Sequence, residues 1–185
     1  MDNTLLDKIF RFWRTQKIIG YILKESIICD IGCGIEVFFL NKIKSRIKKG
    51  VGLDQDLADR KEGNLELKNI KINSNLPLTT SQFDAVTMIA FIEHLDDPKN
   101  IIAETFRILK NGGRLILTTP SPIAKPILEF LAVLGLIDKR EISDHKNYFW
   151  PKDIKKMLVY AGFKKEKIKI NFFEFFTNTL VVSTK

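Results

Sequence analysis

The sequence predicts an α/β fold built on a doubly wound and mainly parallel sheet. Uninterrupted apolar runs such as Ala85–Phe91 are typical of strands that are covered on both faces of a parallel sheet. Segments with helical spacing of apolar residues alternate with these runs. At the end of the chain, Lys167–Phe176 and Thr179–Thr184 are joined by Thr177-Asn178, which predicts an antiparallel hairpin. Together these runs predict a seven-stranded sheet with a C-terminal antiparallel hairpin.

The chain begins with a predicted helix over Asp2–Lys24, in which apolar residues recur at helical spacing. Asn3 or Thr4 is a suitable N-cap, and Gly20 interrupts the pattern. We expect residues 1–25 to form an N-terminal cap helix on a single domain over residues 1–185, because this length suits one hydrophobic core.

The segment Ile27–Leu40 organises the rest of the chain. An apolar run ends in Asp30-Ile31-Gly32-Cys33-Gly34, which predicts a buried strand that turns through two glycines into a helix over Val37–Ile47. Glycines adopt positive φ and carry no Cβ, so backbone amides can approach a ligand closely at the carboxyl end of the strand. The predicted second strand, Gly50–Asp54, ends in a carboxylate that is placed to accept hydrogen bonds from both hydroxyls of a ribose.

The remaining elements continue the alternation of strands and helices. The polar stretch Ala58–Gly63 predicts a short helix or loop. The other predicted elements are a third strand at Leu67–Ile72, a fourth strand that opens at Phe83, a helix over Pro98–Lys110 that stops at Asn111-Gly112-Gly113, a fifth strand at Arg114–Thr119, and a helix over Ile154–Ala161.

These motifs, in this order, resemble those of class I S-adenosylmethionine (SAM) dependent methyltransferases. The D-x-G-x-G run at Asp30–Gly34 is similar to motif I of that family, and Gly52-Leu53-Asp54 to the acidic end of its second strand. Phe83–Pro98 (FDAVTMIAFIEHLDDP) resembles the fourth strand with its following loop, and Glu104–Pro122 (ETFRILKNGGRLILTTPSP) resembles the helix, glycine turn and fifth strand. The resemblance covers residues 27–122, is to the type 11 and type 23 subgroups, and implies a Rossmann-like methyltransferase fold.

The resemblance implies that the chain binds SAM and releases S-adenosylhomocysteine. Asp54 would hold the ribose, and Asn73 or Ser74 would contact the adenine amino group, although the polarity of a turn explains these last two residues equally well. The candidates for cofactor binding on matching positions are Asp30, Gly32, Cys33, Gly34, Asp54, Gln55, Asn73, Ser74, Ile89 and Ala90.

The resemblance also implies in-line methyl transfer, in which the protein chiefly aligns the acceptor and excludes water. A hydroxyl or a protonated amine as acceptor needs a base, and the candidates are His94, Glu93 and His145, in that order. Hydrogen bonds that fasten their loops are the alternative role of these side chains. No metal site is expected, because Cys29 and Cys33 lie on the buried strand and its turn, a poor place for zinc or a disulfide.

Glu36 departs from the pattern, because it stands where the resembled family usually has a third glycine. A carboxylate there either favours the start of the following helix, through the helix dipole, or repels the carboxylate end of SAM. The second effect would make the chain a non-catalytic SAM-binding or interaction module. A nicotinamide-dependent oxidoreductase would use the same strand, turn and Asp54, but it calls for a third glycine and a substrate domain that the sequence lacks.

The apolar segment Ile123–Ile137 is too short to span a bilayer, so it forms a buried helix, an interfacial helix or a lid over an apolar substrate. Its position after the fifth strand favours the lid, and burial in the core or in a dimer contact is the alternative. In the resembled family, an insertion at this point commonly determines the substrate. We therefore expect residues 120–150 to be a substrate insertion, and the acceptor to be a small molecule that is apolar, aromatic or lipid-linked.

The net charge of +8 permits an acidic partner, such as a membrane surface or nucleic acid. The lysines form two modest clusters without interleaved aromatic residues, so nucleic acid is the less expected partner. The two cysteines suggest a reducing, cytoplasmic setting. No pattern in the sequence indicates an oligomeric state.

Overall fold

The computed structural model of the chain describes residues 4–73, 75–138 and 145–185. Eight strands form one sheet in the order β3-β4-β2-β1-β5-β6-β8-β7. The strands are β1 (Ile27–Ile31), β2 (Lys49–Asp54), β3 (Arg60–Glu62), β4 (Leu65–Asn69), β5 (Phe83–Ile89), β6 (Leu109–Pro120), β7 (Ile168–Phe173) and β8 (Asn178–Thr184). The helices are α1 (Leu5–Ile19), α2 (Phe38–Ile43), α3 (Pro98–Ile108), α4 (Ala124–Val133) and α5 (Pro151–Tyr160), with 3-10 turns at Ile92–His94 and Lys165–Lys167.

The centre of the sheet is parallel, and β1 lies in its middle. β1 pairs with β2 on one side and with β5 on the other, both in parallel. The chain therefore winds in opposite directions from β1, which creates a switch point where ligands bind outside the carboxyl ends of the strands. β6 pairs in parallel with β5, whereas β8 is antiparallel to both β6 and β7.

Both faces of the sheet are covered, which confirms the doubly wound architecture. One buried apolar cluster includes Ile101 and Ile102 of α3 with Ile154 and Leu158 of α5. A second cluster combines strand residues with side chains of α1 and α2, such as Leu40. Central strands that are buried on both faces explain why their sequences are apolar without alternation.

The sheet has eight strands where the sequence predicts seven. The additional strand is β3, which pairs antiparallel to β4 at the edge of the sheet, where a short helix or loop was expected. All three of its residues are exposed and polar, so no apolar periodicity marks it. The third predicted strand also lies earlier than expected, since β4 ends at Asn69 and not at Ile72.

The predicted helix stop at Asn111-Gly112-Gly113 is wrong. α3 ends at Ile108, and the two glycines lie inside β6. Leu109 pairs with Phe83 and the ladder resumes only at Arg114, so the intervening residues form an irregularity in the strand. Gly112 has a φ of +80° there, which explains the glycine at that position.

The C-terminal hairpin forms, but its turn lies earlier than Thr177-Asn178. β7 ends at Phe173 and β8 begins at Asn178, so Phe175 and Phe176 lie in the turn and are 89% and 64% exposed. These two rings therefore do not pack on a face of the sheet. A run of phenylalanines suits a strand, and it conceals the position of the turn.

α1 begins where the capping pattern indicates. Thr4 and Asp7 form a capping box, and Gly20 follows the last helical residue. The N-terminal end of α1 also contacts the end of the apolar segment, because the Thr4 hydroxyl donates to the Leu136 carbonyl at 2.7 Å and the Asp138 amide donates to Asp7 at 3.2 Å. α1 thus holds the segment that follows α4.

α4 forms within the predicted apolar segment but leaves most of it exposed. Phe130, Val133 and Leu134 are 62%, 78% and 54% exposed, whereas Ile137 is buried. No helix among the described residues has the length and apolar character that crossing a membrane requires.

Candidate functional site

The turn after β1 is fixed to β2 by backbone hydrogen bonds. The amides of Gly32 and Cys33 both donate to the carbonyl of Leu53, at 2.8 and 3.2 Å. Gly32 and Gly34 have φ angles of +73° and +68°, a conformation that L-residues rarely adopt. The D-x-G-x-G pattern therefore predicts the local backbone well.

Asp54 ends β2 and reaches back to this turn. Its Oδ2 accepts a hydrogen bond from the Gly34 amide at 2.9 Å, and its Oδ1 accepts one from the Asp56 amide at 3.1 Å. Two backbone donors thus fix the orientation of a half-buried carboxylate beside the glycine turn. This is the position from which a carboxylate can hold ribose hydroxyls.

Asp30 is a second carboxylate near the turn, and it is buried within β1. Its Oδ1 accepts a hydrogen bond from the Thr87 hydroxyl of β5 at 2.6 Å. Burial raises the pKa of Asp30 to about 7, with a smaller contribution from the negative charge of Asp54, although the Thr87 hydrogen bond acts in the opposite direction. A carboxylate with this pKa is poised to ionise when a cationic ligand approaches.

One side of the turn is closed and the other is open. A Cβ on Gly32 would lie 2.0 Å from Cδ2 of Phe91, whereas a Cβ on Gly34 would meet no atom within 4 Å. Phe91 therefore covers the turn at Gly32, and the approach is free at Gly34, beside Asp54. An open glycine next to a fixed carboxylate at the switch point fits a ribose-bearing ligand such as SAM.

The structure places Cys33, Gln55, Ile89 and Ala90 at or beside this turn. Cys33 lies in the turn and is half-buried, and burial raises the pKa of its thiol. Ile89 and Ala90 are half-buried at the end of β5, where the Ala90 amide donates to the Thr118 carbonyl at 2.9 Å. Gln55 follows Asp54 and is exposed.

Asn73 and Ser74 were expected just after the third strand. Because β4 ends at Asn69, Asn73 lies four residues further along, in an exposed loop, and Ser74 lies outside the described residues. The amide side chain at the strand end is that of Asn69, which donates to the carbonyls of Gln55 at 3.0 Å and Leu57 at 2.5 Å. Asn69 therefore holds the loop that follows Asp54.

Glu36 forms an ion pair with Arg11 of α1. The Arg11 guanidinium also lies over the ring of Phe38, 4.8 Å from its centroid. Glu36 precedes Val37, the N-cap of α2, and its side chain is 54% exposed. The carboxylate is thus held by a cation on the neighbouring helix, beside the start of α2.

The three base candidates, Glu93, His94 and His145, lie together. Each offers one ligand or acceptor atom, and these atoms all lie within 4.8 Å of one another. The rings of His94 and His145 have centroids 5.0 Å apart. We refer to these three residues as the Glu-His-His cluster. It follows β5, on the same edge of the sheet as the glycine turn.

Backbone hydrogen bonds bring the distant His145 to this place. The amides of Lys146 and Asn147 both donate to the Glu93 carbonyl, at 3.0 and 3.1 Å. The Asn147 side chain donates to the carbonyl of Leu95, 52 positions earlier in the chain, at 2.9 Å. The segment that begins at His145 is therefore joined to the 3-10 turn that carries His94.

Glu93 is fully buried, although it carries a carboxylate. Its Oε2 accepts a hydrogen bond from the Thr119 hydroxyl of β6 at 2.9 Å. Burial raises the pKa of Glu93, whereas the charge of His94 and the hydrogen bonds act to lower it. Its other oxygen, Oε1, is buried without a hydrogen-bond partner among the described residues.

Three residues of the site were missed by the sequence interpretation. Thr87 and Thr119 hold the two buried carboxylates, and Tyr148 donates to or accepts from Nδ1 of His145 at 3.0 Å. Strand order decides which threonine meets which carboxylate, and no local pattern carries that information. The position of Tyr148, three residues after His145, was the one available signal.

α4 borders the cluster through Tyr148. The Lys125 ammonium lies 6.0 Å from the centroid of the Tyr148 ring. Burial raises the pKa of Tyr148, and the negative charges of Glu129 and Glu93 add to that shift. The first turn of α4, which carries Lys125, is therefore next to the side chain that contacts His145.

Comparison with known proteins agrees with this arrangement. A family model described as a methyltransferase domain matches residues 4–168. A ubiquinone biosynthesis O-methyltransferase of Psychrobacter arcticus is 27% identical over 169 residues, which are 83% of this chain and 65% of that protein. A protein of the same name from Psychrobacter cryohalolentis is 26% identical over 172 residues, with the same coverage. The chain thus spans about 65% of the length of these curated relatives.

Solved structures share the fold at low sequence identity. A SAM dependent methyltransferase from Archaeoglobus fulgidus has a TM-score of 0.71 at 19% identity, and the match covers 95% of this chain and 93% of that one. A SAM dependent methyltransferase from Aquifex aeolicus has a TM-score of 0.65 at 14% identity and covers 91% and 88%.

Proposed function

The chain belongs to the class I SAM-dependent methyltransferases, whose cofactor is SAM, and we propose that it methylates a hydroxyl of a small apolar acceptor, aromatic or lipid-linked. The observation that carries this proposal is the exposed apolar surface of α4, a helix that contacts Tyr148 of the site through Lys125. The curated relatives from Psychrobacter are named as O-methyltransferases of ubiquinone biosynthesis, which agrees with a hydroxyl on an apolar molecule.

In this proposal the glycine turn with Asp54 binds the cofactor, and the Glu-His-His cluster acts on the acceptor. SAM supplies a methyl group that is already activated by its positively charged sulfur. Asp54 holds the ribose, and Asp30 and the glycine turn hold the remainder of the cofactor. The chain must also align the acceptor oxygen and exclude water, which are the larger contributions in a displacement of this kind.

The Glu-His-His cluster is proposed to act on the acceptor hydroxyl. A hydroxyl is a poor nucleophile until its proton is removed or its oxygen is polarised. Glu93, His94 and His145 are the titratable groups that the structure gathers at the end of β5, on the strand edge that carries the glycine turn. Their positions support a role at the acceptor and not at the ribose, because Asp54 lies at the end of β2, on the other side of β1.

The apolar surface is proposed to receive the acceptor. Phe130, Val133 and Leu134 are more than half exposed, and large apolar patches on a soluble protein usually mark a binding surface. Contact with a membrane that delivers a lipid-linked acceptor is part of this proposal, as is a cytoplasmic location, which the free thiols of Cys29 and Cys33 favour.

Titration with SAM tests the proposed cofactor site. We expect micromolar binding or tighter, about −8 kcal/mol. The Asp54→Ala variant should weaken it by about 1.5–3 kcal/mol, the scale of a hydrogen bond to a charged group, or roughly 10- to 150-fold. Asp56→Ala is the matched control, because that exposed carboxylate follows two positions later. Equal affinities of the two variants would mean that Asp54 does not hold the ribose.

Transfer of the labelled methyl group from SAM tests the proposed acceptor class. The protein is offered a lipid extract, simple catechols and phenols, total RNA and DNA in parallel. We expect label in the lipid or aromatic fractions. Label in nucleic acid alone would overturn the proposed acceptor class. Tight SAM binding without transfer to any fraction would instead favour a non-catalytic SAM-binding module, and binding of NAD in place of SAM would favour an oxidoreductase.

A further inference from the structure

The Glu-His-His cluster contains both histidines of the chain, side by side with a carboxylate. Two imidazoles and one carboxylate are the three protein ligands of many catalytic zinc sites, where the fourth position stays open for water or substrate. The sequence interpretation expected no metal, because it considered only the cysteines. The arrangement of the cluster suggests otherwise, on three independent observations.

The first observation concerns Glu93. The carboxylate is completely buried, and buried carboxylates are normally paired or bound to a cation. The Thr119 hydroxyl satisfies Oε2, but Oε1 has no hydrogen-bond partner among the described residues. Leaving such an atom unsatisfied costs free energy, and a cation within the cluster would recover that cost.

The second observation is the geometry of the two rings. The centroids of His94 and His145 lie 5.0 Å apart, with an interplanar angle of 65°. Two imidazoles bound to one tetrahedral ion, each at about 2.0–2.1 Å, have centroids about 5 Å apart. The three ligand atoms, now within 4.8 Å of one another, would need to draw together to about 3.4 Å, a shift that side-chain rotation supplies.

The third observation is the support around His145. Nδ1 of His145 lies 3.0 Å from the Tyr148 hydroxyl, so a metal ion would take Nε2. A histidine that binds a metal usually makes a hydrogen bond through its other ring nitrogen, which fixes the tautomer and the ring orientation. The bonds from Lys146 and Asn147 to the Glu93 carbonyl fix the backbone on which His145 stands.

We propose that Glu93, His94 and His145 bind one divalent transition-metal ion, with Zn²⁺ as the preferred ion. Imidazole ligands suit Zn²⁺, Co²⁺ and Fe²⁺, whereas Mg²⁺ and Ca²⁺ prefer sites made of oxygen ligands alone. The burial of Glu93 and the nearby β6 close one side of the cluster. A fourth coordination position would remain for water or for the acceptor hydroxyl.

The role of this ion rests on the proposed function. A hydroxyl that coordinates the ion has a lower pKa, so its O–H bond breaks more easily. The proton passes to water and the electron pair stays on the acceptor oxygen. The three side chains then act as metal ligands, and the acceptor needs no separate protein base.

Metal binding is measured on the whole chain without a polyhistidine tag, stripped of metal and free of SAM. Calorimetry with Zn²⁺ and the visible absorption of added Co²⁺ report the stoichiometry and the ligand set. We expect one equivalent with a micromolar Kd or tighter. His94→Gln, His145→Gln and Glu93→Gln should each weaken binding by at least about tenfold, the lower end of what even outer-ligand substitutions cost.

Asp96→Asn is the matched control, because this 88% exposed carboxylate lies in the same loop and should leave Zn²⁺ affinity unchanged. His145→Gln is the decisive variant, since His145 is only half-buried and we expect the variant to fold, which circular dichroism verifies. Absence of binding at millimolar Zn²⁺ and Co²⁺, or equal binding by wild type and His145→Gln, would overturn the metal site.

The two proposals can fail separately. If the protein binds no metal ion, SAM binding and methyl transfer are still measured on the metal-free protein, and their outcome alone decides the proposed function. One equivalent of Zn²⁺ bound through the three side chains, without methyl transfer to any acceptor, would support the metal site and refute the proposed reaction.

Discussion

The glycine turn and the Glu-His-His cluster lie on the same edge of the sheet, yet their residues are joined over very different chain distances. Gly34 and Asp54 are 20 positions apart and belong to one strand-helix-strand unit. Asn147, which holds the His145 segment, contacts Leu95 across 52 positions and across several elements. The first region is specified by a local motif, whereas the second depends on how the whole chain folds.

The two regions also differ in how their polar groups are satisfied. The carboxylate of Asp54 and the amides of Gly32, Cys33 and Gly34 all have hydrogen-bond partners. The Glu93 carboxylate has one oxygen without a hydrogen-bond partner among the described residues. A buried polar group without a partner costs free energy, and a ligand that pairs with it removes that cost. Ligand binding should therefore stabilise the Glu-His-His cluster more than the glycine turn, whose polar groups are already paired.

The largest expected effect is on the pH dependence of stability, to which both regions contribute through a buried carboxylate, Asp30 in one and Glu93 in the other. Asp30 has a pKa of about 7 in the folded chain against 3.8 as its ordinary value, so the folded state binds the proton more tightly. Its contribution to stability is complete below pH 4 and is lost as the pH rises to 7, by up to about 4 kcal/mol. In urea unfolding, Asp30→Asn should remove this part of the pH slope and leave the part that Glu93 contributes.

The control for that measurement is Asp56→Asn, which alters an exposed carboxylate near the same turn. Its pH profile should run parallel to that of the wild type. If the profile of Asp30→Asn is parallel as well, the carboxylate of Asp30 ionises as freely in the folded chain as in the unfolded one.

Two glycine substitutions test how tightly the turn is specified, and a third, at the end of α1, is their control. Gly32→Ala combines an unfavourable φ with contact with Phe91 and should cost about 3 kcal/mol. Gly34→Ala keeps the unfavourable φ without a contact and should cost about 1 kcal/mol. Gly20→Ala has neither and should match or exceed the wild type, by about 0.4–1 kcal/mol. Urea midpoints measure all three.

An equal loss for Gly32→Ala and Gly34→Ala would show that the Phe91 ring moves away without cost. Phe91 would then be a mobile cover of the turn and not a fixed wall. The comparison of the two regions would change accordingly, because the cofactor half would also have an adaptable part.

The same difference explains which parts the sequence could predict. The D-x-G-x-G run encodes its own backbone through positive φ at two glycines, so the turn and the placement of Asp54 after β2 follow from a short motif. The central apolar strands predicted the doubly wound sheet for a similar reason, since burial on both faces leaves a continuous apolar signature.

Other parts could not be predicted, because their cause lies in contacts between distant residues. β3 is a short exposed edge strand whose only marker is its partner β4. The turn of the final hairpin falls among phenylalanines, where local propensity favours a strand. The sequence suggested three separate base candidates, Glu93, His94 and His145, without showing that they meet. Their proximity depends on the hydrogen bonds from the amides of Lys146 and Asn147 to the Glu93 carbonyl.

The smallest expected effect on stability is on the exposed apolar face of α4, and it tests the role proposed for that helix. Phe130 is 62% exposed, so Phe130→Ala should change the free energy of unfolding by less than about 0.5 kcal/mol. Ile137 in the same segment is only 3% exposed, and Ile137→Ala should cost about 2–5 kcal/mol.

If the apolar face of α4 receives the acceptor, Phe130→Ala should leave SAM affinity unchanged and lower kcat/KM for lipid or aromatic acceptors about tenfold, equivalent to about 1.4 kcal/mol. Unchanged kcat/KM would assign the acceptor to another surface, and a large loss of stability would mean that this face is packed in solution.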